Sequence, residues 1–205
     1  MKATPSIDAV LLDLGGVLIE LVGVEQMIVW SPHLDNADTL WARWLTSPAV
    51  RRYERGEGER EEFARAIIEE FALPVDTATF ISGFSGWPRQ LFPESATLVG
   101  QIRARYKVAS LSNTNELHWS RFSSDWGLPG MFDANFPSFE VRRIKPDADY
   151  FEHVLETLDV PAHRALFLDD KAANVAAAER VGILARRAIG PAGVRQAFAE
   201  LGLPL

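Results

Sequence analysis

The 205-residue chain has no cysteine, which excludes disulfides, thiol catalysis and cysteine-ligated zinc together. Histidine is scarce at four residues. His33, His118, His153 and His163 show no metal-ligand spacing and read as surface or packing residues, with His118 alone lying near a motif. Basic residues are outnumbered, 21 Lys and Arg against 28 Asp and Glu, for a net charge of -7. No basic footprint suggests a nucleic-acid partner, and a phosphorylated substrate would need local cations. No apolar run approaches the ~20 residues that span a membrane. Met1-Lys2-Ala3-Thr4-Pro5 leads toward the first apolar segment without a signal-peptide core. The expectation is a cytoplasmic protein with no nucleic-acid or membrane partner; oligomeric state is not legible.

What is present, 47% hydrophobic and 24% charged residues, suits one sizeable globular domain with room for a smaller insert. The organising stretch is Ala9-Val10-Leu11-Leu12-Asp13-Leu14-Gly15-Gly16. Four apolar residues are too few for a helix, and two glycines follow closely. This predicts a buried parallel strand and a sharp turn. Asp13 is thereby delivered to the carboxyl edge of a sheet, where open α/β folds bind ligands.

From Glu20 to about Phe92 the pattern is helical over Val24 to Trp30, Thr39 to Tyr53, Glu59 to Phe71 and Val75 to Phe84. Breaks fall at Ser31-Pro32, Gly56-Glu57-Gly58, Leu73-Pro74 and Trp87-Pro88. This predicts a small all-helical cap over residues 20–92, with Trp30, Trp41, Trp44 and Trp87 mostly in its core. Inserted after the first strand, it would lie over the carboxyl edge as a lid. From Pro93 the pattern alternates. Strands are predicted over Val108 to Leu111, Ala134 to Phe139, Ala165 to Leu168 and Ile183 to Ile189. Helices are predicted over Glu94 to Arg105, from Pro146 at a first helical position, over Lys171 to Val181, and over Ala192 to Leu201. The fold class is α/β, a doubly wound parallel sheet built from residues 1–19 and 93–205, with the helical cap between them.

Three of these strands end in Asp13, in Ser112-Asn113 and in Asp169-Asp170, and Lys145 stands just before a helix. Three carboxylates at one edge repel, so they take up protons or bind a cation. Oxygen ligands without cysteine or a histidine pair point to a hard ion, Mg2+ being usual at phosphate sites. A carboxylate can attack phosphorus and split hydrolysis into two steps. Ser112 and the amide of Asn113 suit phosphoryl oxygens, while Lys145 and a metal would offset charge in the transition state. Glu54 and Arg55 either reach substrate from the cap or form a solvated ion pair. Gly83-Phe84-Ser85-Gly86-Trp87 departs from a serine-hydrolase elbow at its last position, and Gly56-Glu57-Gly58 lacks the third glycine of a dinucleotide loop; neither counts.

Asp13-Leu14-Gly15-Gly16-Val17, Leu111-Ser112-Asn113, Lys145-Pro146 and Asp169-Asp170 with Asn174 resemble, in order and spacing, the four motifs of the haloacid dehalogenase-like (HAD) hydrolases. The insert resembles that superfamily's helical C1 cap. Tyr53-Glu54-Arg55-Gly56-Glu57 and Leu111-Ser112-Asn113-Thr114-Asn115 are similar to the bacterial branch that includes an α-D-glucose-1-phosphate phosphatase. The resemblance implies a Rossmannoid core, Asp13 as nucleophile and metal ligand, and the Gly15 carbonyl as a second ligand. It implies Ser112, Asn113 and Lys145 as phosphoryl-holding groups, with Lys145 and Ser112 also counted as catalytic. Asp170 would bind Mg2+ with Asp169 beside it as a further ligand, and Asn174 would orient that pair or Lys145.

One departure bears on catalysis. Many phosphatases of the superfamily carry an aspartate as acid and base where this chain has Gly15, and losing such a group typically costs about 10²-fold to 10⁴-fold in rate. The glucose-1-phosphatase-like branch also has glycine there, and an anomeric hydroxyl leaves more easily than an ordinary alcohol. Arg142 stands where that branch commonly has glycine. The expected function is a Mg2+-dependent phosphatase of a small phosphorylated metabolite, a sugar phosphate for example, acting through an aspartyl-phosphate on Asp13. The alternatives are a 2-haloacid dehalogenase using the same aspartate without metal, and a non-catalytic phosphometabolite-binding protein.

Overall fold

The apolar run that opens the chain forms β1 (Ala9–Leu12), every residue buried at the centre of a five-stranded sheet. A computed structural model describes residues 5–31 and 36–205. On either side of β1 run β4 (Lys107–Ser112) and β6 (Ala165–Asp169), both parallel to it. At the edges β5 (Ala134–Pro137) and β7 (Leu184–Arg187) continue the parallel pairing, for the order β5-β4-β1-β6-β7. The chain winds outward through β4 and β5, then returns past β1 to β6, so the switch in direction falls between β1 and β6.

Alternation along each strand divides the core into two layers. Val10, Leu12, Val108, Leu166 and Leu168 pack with α6 (Ser95–Arg103), α7 (Glu116–Ser124) and α11 (Gly190–Leu201). Ala9, Leu11, Leu111 and Phe167 face α9 (Ala148–Leu158) and α10 (Ala172–Arg180). The doubly wound parallel sheet is therefore as expected. Helix α7 carries no prior expectation, and the strand expected over Ala134 to Phe139 ends at Pro137, where one turn, α8 (Ser138–Val141), follows.

The stretch expected to be all helical is entered and left through a two-stranded antiparallel ribbon, β2 (Ile19–Leu21) against β3 (Pro88–Leu91). Both strands are short and carry polar residues, Glu20 against Gln90, so neither has a buried-strand signature. Between them lie α1 (Glu25–Trp30), α2 (Ala37–Thr46), α3 (Pro48–Glu54), α4 (Arg60–Glu70) and α5 (Thr77–Ser85). The single helix expected over Thr39 to Tyr53 is two. Ser47 has an extended backbone, its side chain accepts from Val50 N, and Pro48 opens the next helix. These helices share a cluster of their own, built on Trp44, Tyr53, Phe63, Phe80, Phe84 and Trp87. Trp30 and Trp41 are only partly buried against it. Residues 1–4, Pro32 of the expected break and His33 lie outside the described residues.

A further correction concerns Pro146. The Lys145–Pro146 peptide is cis, and α9 begins only at Ala148 with Asp147 extended at its cap position, so Pro146 is not a first helical residue. Among the described residues no helix is long and apolar enough to cross a membrane.

Candidate active site

Asp13 follows β1 directly. Its main-chain N–H donates to Leu168 O at 2.9 Å, extending the ladder one residue and holding Asp13 beside the end of β6. Asp169 is the last residue of β6 and is fully buried; Asp170 is next. Oxygens of Asp13, Asp169 and Asp170 lie within 4.8 Å of one another. Gly16 is needed for this approach: its φ is +75°, and a Cβ there would stand 2.7 Å from Asp170 Oδ2.

Lys145 enters the cluster from the turn before α9. It is buried, and its ammonium donates to Asp13 Oδ1 at 2.7 Å, to Asp169 Oδ2 at 2.8 Å and to Leu111 O at 2.8 Å. All three of its protons are thus placed. Burial works to lower its pKa, but Asp13 and Asp169 outweigh burial and hold the ammonium protonated. Burial pushes the Asp13 carboxyl up to about 7; Lys145 pulls against it, and Asp169 and Asp170 push the same way.

The donor set fits a hard divalent cation. Two buried carboxylates share the Lys145 ammonium, and the third, Asp170, has its Oδ1 buried with no hydrogen-bond partner. Its other oxygen meets Lys171 Nζ at 2.9 Å. Asp169 is already well supplied. Besides Lys145, it accepts from Lys171 N at 2.7 Å and from Asn174 Nδ2 at 3.1 and 3.0 Å. The open lone pairs are therefore those of Asp13 and Asp170, and Asn174 braces Asp169 rather than Lys145.

Ser112 ends β4, buried on the wall of the same cavity. Asn113 follows, but its side chain is committed elsewhere: Lys145 N donates to its Oδ1, and its Nδ2 donates to Lys145 O. Its main-chain N–H and one amide proton are what these two bonds leave uncommitted. Gly15 also lines the cavity, with Leu21 Cδ1 2.7 Å from where its Cβ would be.

His118 reaches the cavity but cannot stand in for the missing acid. Its Nε2 bonds Phe84 O at 2.7 Å, its Nδ1 bonds Asn115 Nδ2 at 3.2 Å, and burial lowers its pKa to about 4, leaving it neutral. Arg55 does not pair with Glu54; with Arg51 it grips Asp147 across the gap between the helical cluster and the sheet. Glu54 is left lining the cavity near the cluster, and burial pushes it up to about 8 against the pull of Lys145 and Arg51. Arg142, with a left-handed backbone at φ 55°, donates to Gly56 O at 3.0 Å and so also ties the two parts together. Arg51 carried no expectation, and its service to Asp147 has no local pattern that could have announced it.

The cavity measures about 660 Å³ and joins the strand ends to the helices above them. A family model described as haloacid dehalogenase-like hydrolase matches residues 7–182. The chain belongs to the haloacid dehalogenase-like hydrolases. It is 28% identical over 182 residues to a sesquiterpene phosphatase of Aspergillus oryzae, covering 86% of this chain and 87% of that protein. A HAD-like family hydrolase of Porphyromonas gingivalis superposes with a TM-score of 0.77 at 25% identity, over 97% of this chain and 98% of that one. A HAD family enzyme of Bacteroides thetaiotaomicron, solved with magnesium and inorganic phosphate, gives 0.72 at 24% identity, over 89% and 94%; at that identity the likeness is one of fold.

Proposed function

We propose that this HAD-like hydrolase is a Mg2+-dependent phosphatase of small phosphate monoesters, with Asp13 as its nucleophile. The observation that carries the reading is the meeting of Asp13, Asp169, Asp170 and Lys145 at one end of a ligand-sized cavity. The Aspergillus oryzae relative is named a phosphatase, which supports the reading.

In this reading Asp13 and Asp170 hold Mg2+ with the Gly15 carbonyl, and Asp169 serves mainly as the buried counter-charge of Lys145. Bound there, Mg2+ supplies positive charge against the oxygens of the transferring phosphoryl group and keeps Asp13 ionised. Lys145 holds Asp13 Oδ1, which leaves Oδ2 to attack phosphorus. The Oδ2–P bond forms as the bond from phosphorus to the ester oxygen breaks, giving an aspartyl-phosphate. Ser112 and the main-chain N–H of Asn113 steady the phosphoryl oxygens. Glu54, whose burial raises its pKa, gives its proton to the leaving oxygen, which glycine at position 15 cannot do. Its carboxylate then takes a proton from the water that attacks phosphorus; the Oδ2–P bond breaks, phosphate leaves, and Asp13 returns as a carboxylate while Glu54 is again protonated. Helices α1–α5 act as a cap that keeps bulk water out of the cavity.

The rival dehalogenase chemistry needs no metal and would leave the buried Asp170 oxygen uncompensated. The deciding experiment measures phosphate release from a panel of phosphate monoesters with and without Mg2+, alongside halide release from 2-haloacids. Mg2+-dependent phosphate release that vanishes in Asp13→Asn is expected. Halide release without Mg2+, or phosphate release that survives the substitution, would overturn the proposal.

A further inference from the structure

Above the carboxylates the character of the cavity changes. Its upper wall is made by Leu21, Trp41, Trp44, Leu45, Phe84 and Trp87, a chamber of aliphatic and aromatic surface. Two of these are large apolar side chains left open to solvent, Leu21 at 38% and Leu45 at 46%. Single exposed apolar side chains are ordinary, but these two border one apolar chamber, where an apolar ligand would cover them. The chamber is also firmly built. Trp41 lies against Gly23, where a Cβ would come within 2.3 Å of the ring, and Lys171 Nζ stands 4.9 Å from the ring centre on the Asp170 side. Trp44 and Trp87 pack at 4.6 Å between ring centres.

Most polar groups on this side are engaged, the exceptions being Trp87 Nε1 and Thr114 Oγ1, buried without a partner, and Glu54 beside the carboxylates. Both ring nitrogens of His118 are bonded, and Arg51 is held by Asp147. A sugar phosphate, one substrate suggested by the resemblance above, would bring several hydroxyls against walls with little to offer them, leaving them desolvated without partners. An alcohol of hydrocarbon character meets no such penalty and gains by every carbon buried.

We infer that the site takes phosphate monoesters of apolar alcohols, the phosphoryl group lying by Asp13, Ser112 and Lys145 and the hydrocarbon body filling the chamber of Trp41, Trp44, Leu45 and Phe84. The inference rests on the phosphatase reading for the reaction, and on the walls alone for the substrate class. The volume of about 660 Å³ admits a chain or fused-ring body of drug-like size.

The test uses a series of n-alkyl monophosphates from ethyl to decyl, farnesyl monophosphate and glucose 6-phosphate, each below its micelle concentration and with Mg2+. kcat/KM is expected to rise along the series by up to about fourfold per methylene until the chamber is full, with farnesyl monophosphate far ahead of glucose 6-phosphate. Leu45→Lys, at a half-exposed position that the core does not need, should shrink the decyl-to-ethyl ratio at least tenfold. A flat or falling series, or glucose 6-phosphate as the better substrate, overturns the substrate class while leaving the phosphatase reading intact. A parallel titration follows tryptophan fluorescence with n-alkyl phosphonates, which cannot be hydrolysed. If no ester releases phosphate, the phosphatase reading fails and this titration decides the substrate class alone. Saturable changes whose affinity rises with chain length uphold it, and no chain-length dependence overturns it.

Discussion

Asn113 holds Lys145 by its main chain in both directions: Lys145 N donates to Asn113 Oδ1 at 2.8 Å, and Asn113 Nδ2 donates to Lys145 O at 2.9 Å. This clasp fixes the turn that delivers the ammonium between Asp13 and Asp169. Asn113→Ala removes both bonds and should destabilise the protein by about 1–3 kcal/mol, read as a lower urea midpoint. Phosphate release should fall through kcat more than through KM, because what is lost is the placement of Lys145. Asn113→Asp keeps the acceptor but loses the donor and adds a fourth carboxylate to the site, so its activity should fall further than that of Asn113→Ala.

Lys145 is the only buried cation facing Asp13 and Asp169 among the described residues. Lys145→Met leaves two buried carboxylates without their partner, an imbalance that typically costs about 3–5 kcal/mol. Urea denaturation in EDTA should show a loss of that order. With saturating Mg2+ the loss should be smaller, since a cation at Asp13 and Asp170 offsets part of the same charge. Equal losses with and without Mg2+ would mean that the ion and the ammonium do not share these carboxylates.

The unpaired Asp170 Oδ1 marks where a cation gains most. Mg2+ that binds only the folded state should raise stability by about 2.7 kcal/mol at a hundred times its Kd, and each kcal/mol raises Tm by roughly 2–4 °C at this chain length. Asp170→Asn should abolish the Mg2+-dependent part of that rise while leaving the Tm in EDTA unchanged or higher, because a charge subject to burial and repulsion is gone. Calorimetry in EDTA and in Mg2+ reads both effects without any substrate.

The central strands of the sheet and their edge were legible because parallel strands buried on both faces read as near-continuous apolar runs, and the three central ones end in a polar residue of the site: Leu12 before Asp13, Leu111 before Ser112, Leu168 before Asp169. The ribbon of β2 and β3 was not, since its pairing joins residues about seventy apart and its strands are half polar. Pro146 misled for a related reason. Proline before acidic residues is a common helix opening, yet the chain spends this one on a turn that aims Lys145 inward, and α9 starts later. Asn113 shows the same limit: its residue type suits a phosphate ligand, but only the folded arrangement gives its side chain to the Lys145 main chain. The apolar chamber is a property of α2, α5 and the ribbon together, and no single segment displays it.

Glu54 makes opposite predictions for stability and activity. Burial raises its pKa from the ordinary 4.5 to about 8. A carboxyl whose folded-state pKa is raised holds its proton more tightly in the folded protein. Its contribution to stability is therefore full below the unfolded-state value and is lost as pH rises through about 8. Glu54→Gln keeps the shape without the ionisation, so the variant should equal the parent protein in stability near pH 4, exceed it increasingly as pH rises toward about 8, and exceed it by a constant margin above that. Catalysis should go the other way. If Glu54 supplies the proton to the leaving oxygen, kcat in the parent protein falls as pH rises past about 8, and Glu54→Gln loses about 10²-fold to 10⁴-fold with that alkaline limb gone. In kcat/KM, which reports the step that breaks the ester bond, the loss should be greatest for esters of ordinary alcohols and least for p-nitrophenyl phosphate, whose leaving group departs without a proton; kcat should fall on both, because the same carboxylate activates the water of the second step. A variant whose kcat/KM is equally impaired on both esters would show Glu54 acting through the shape of the cavity instead.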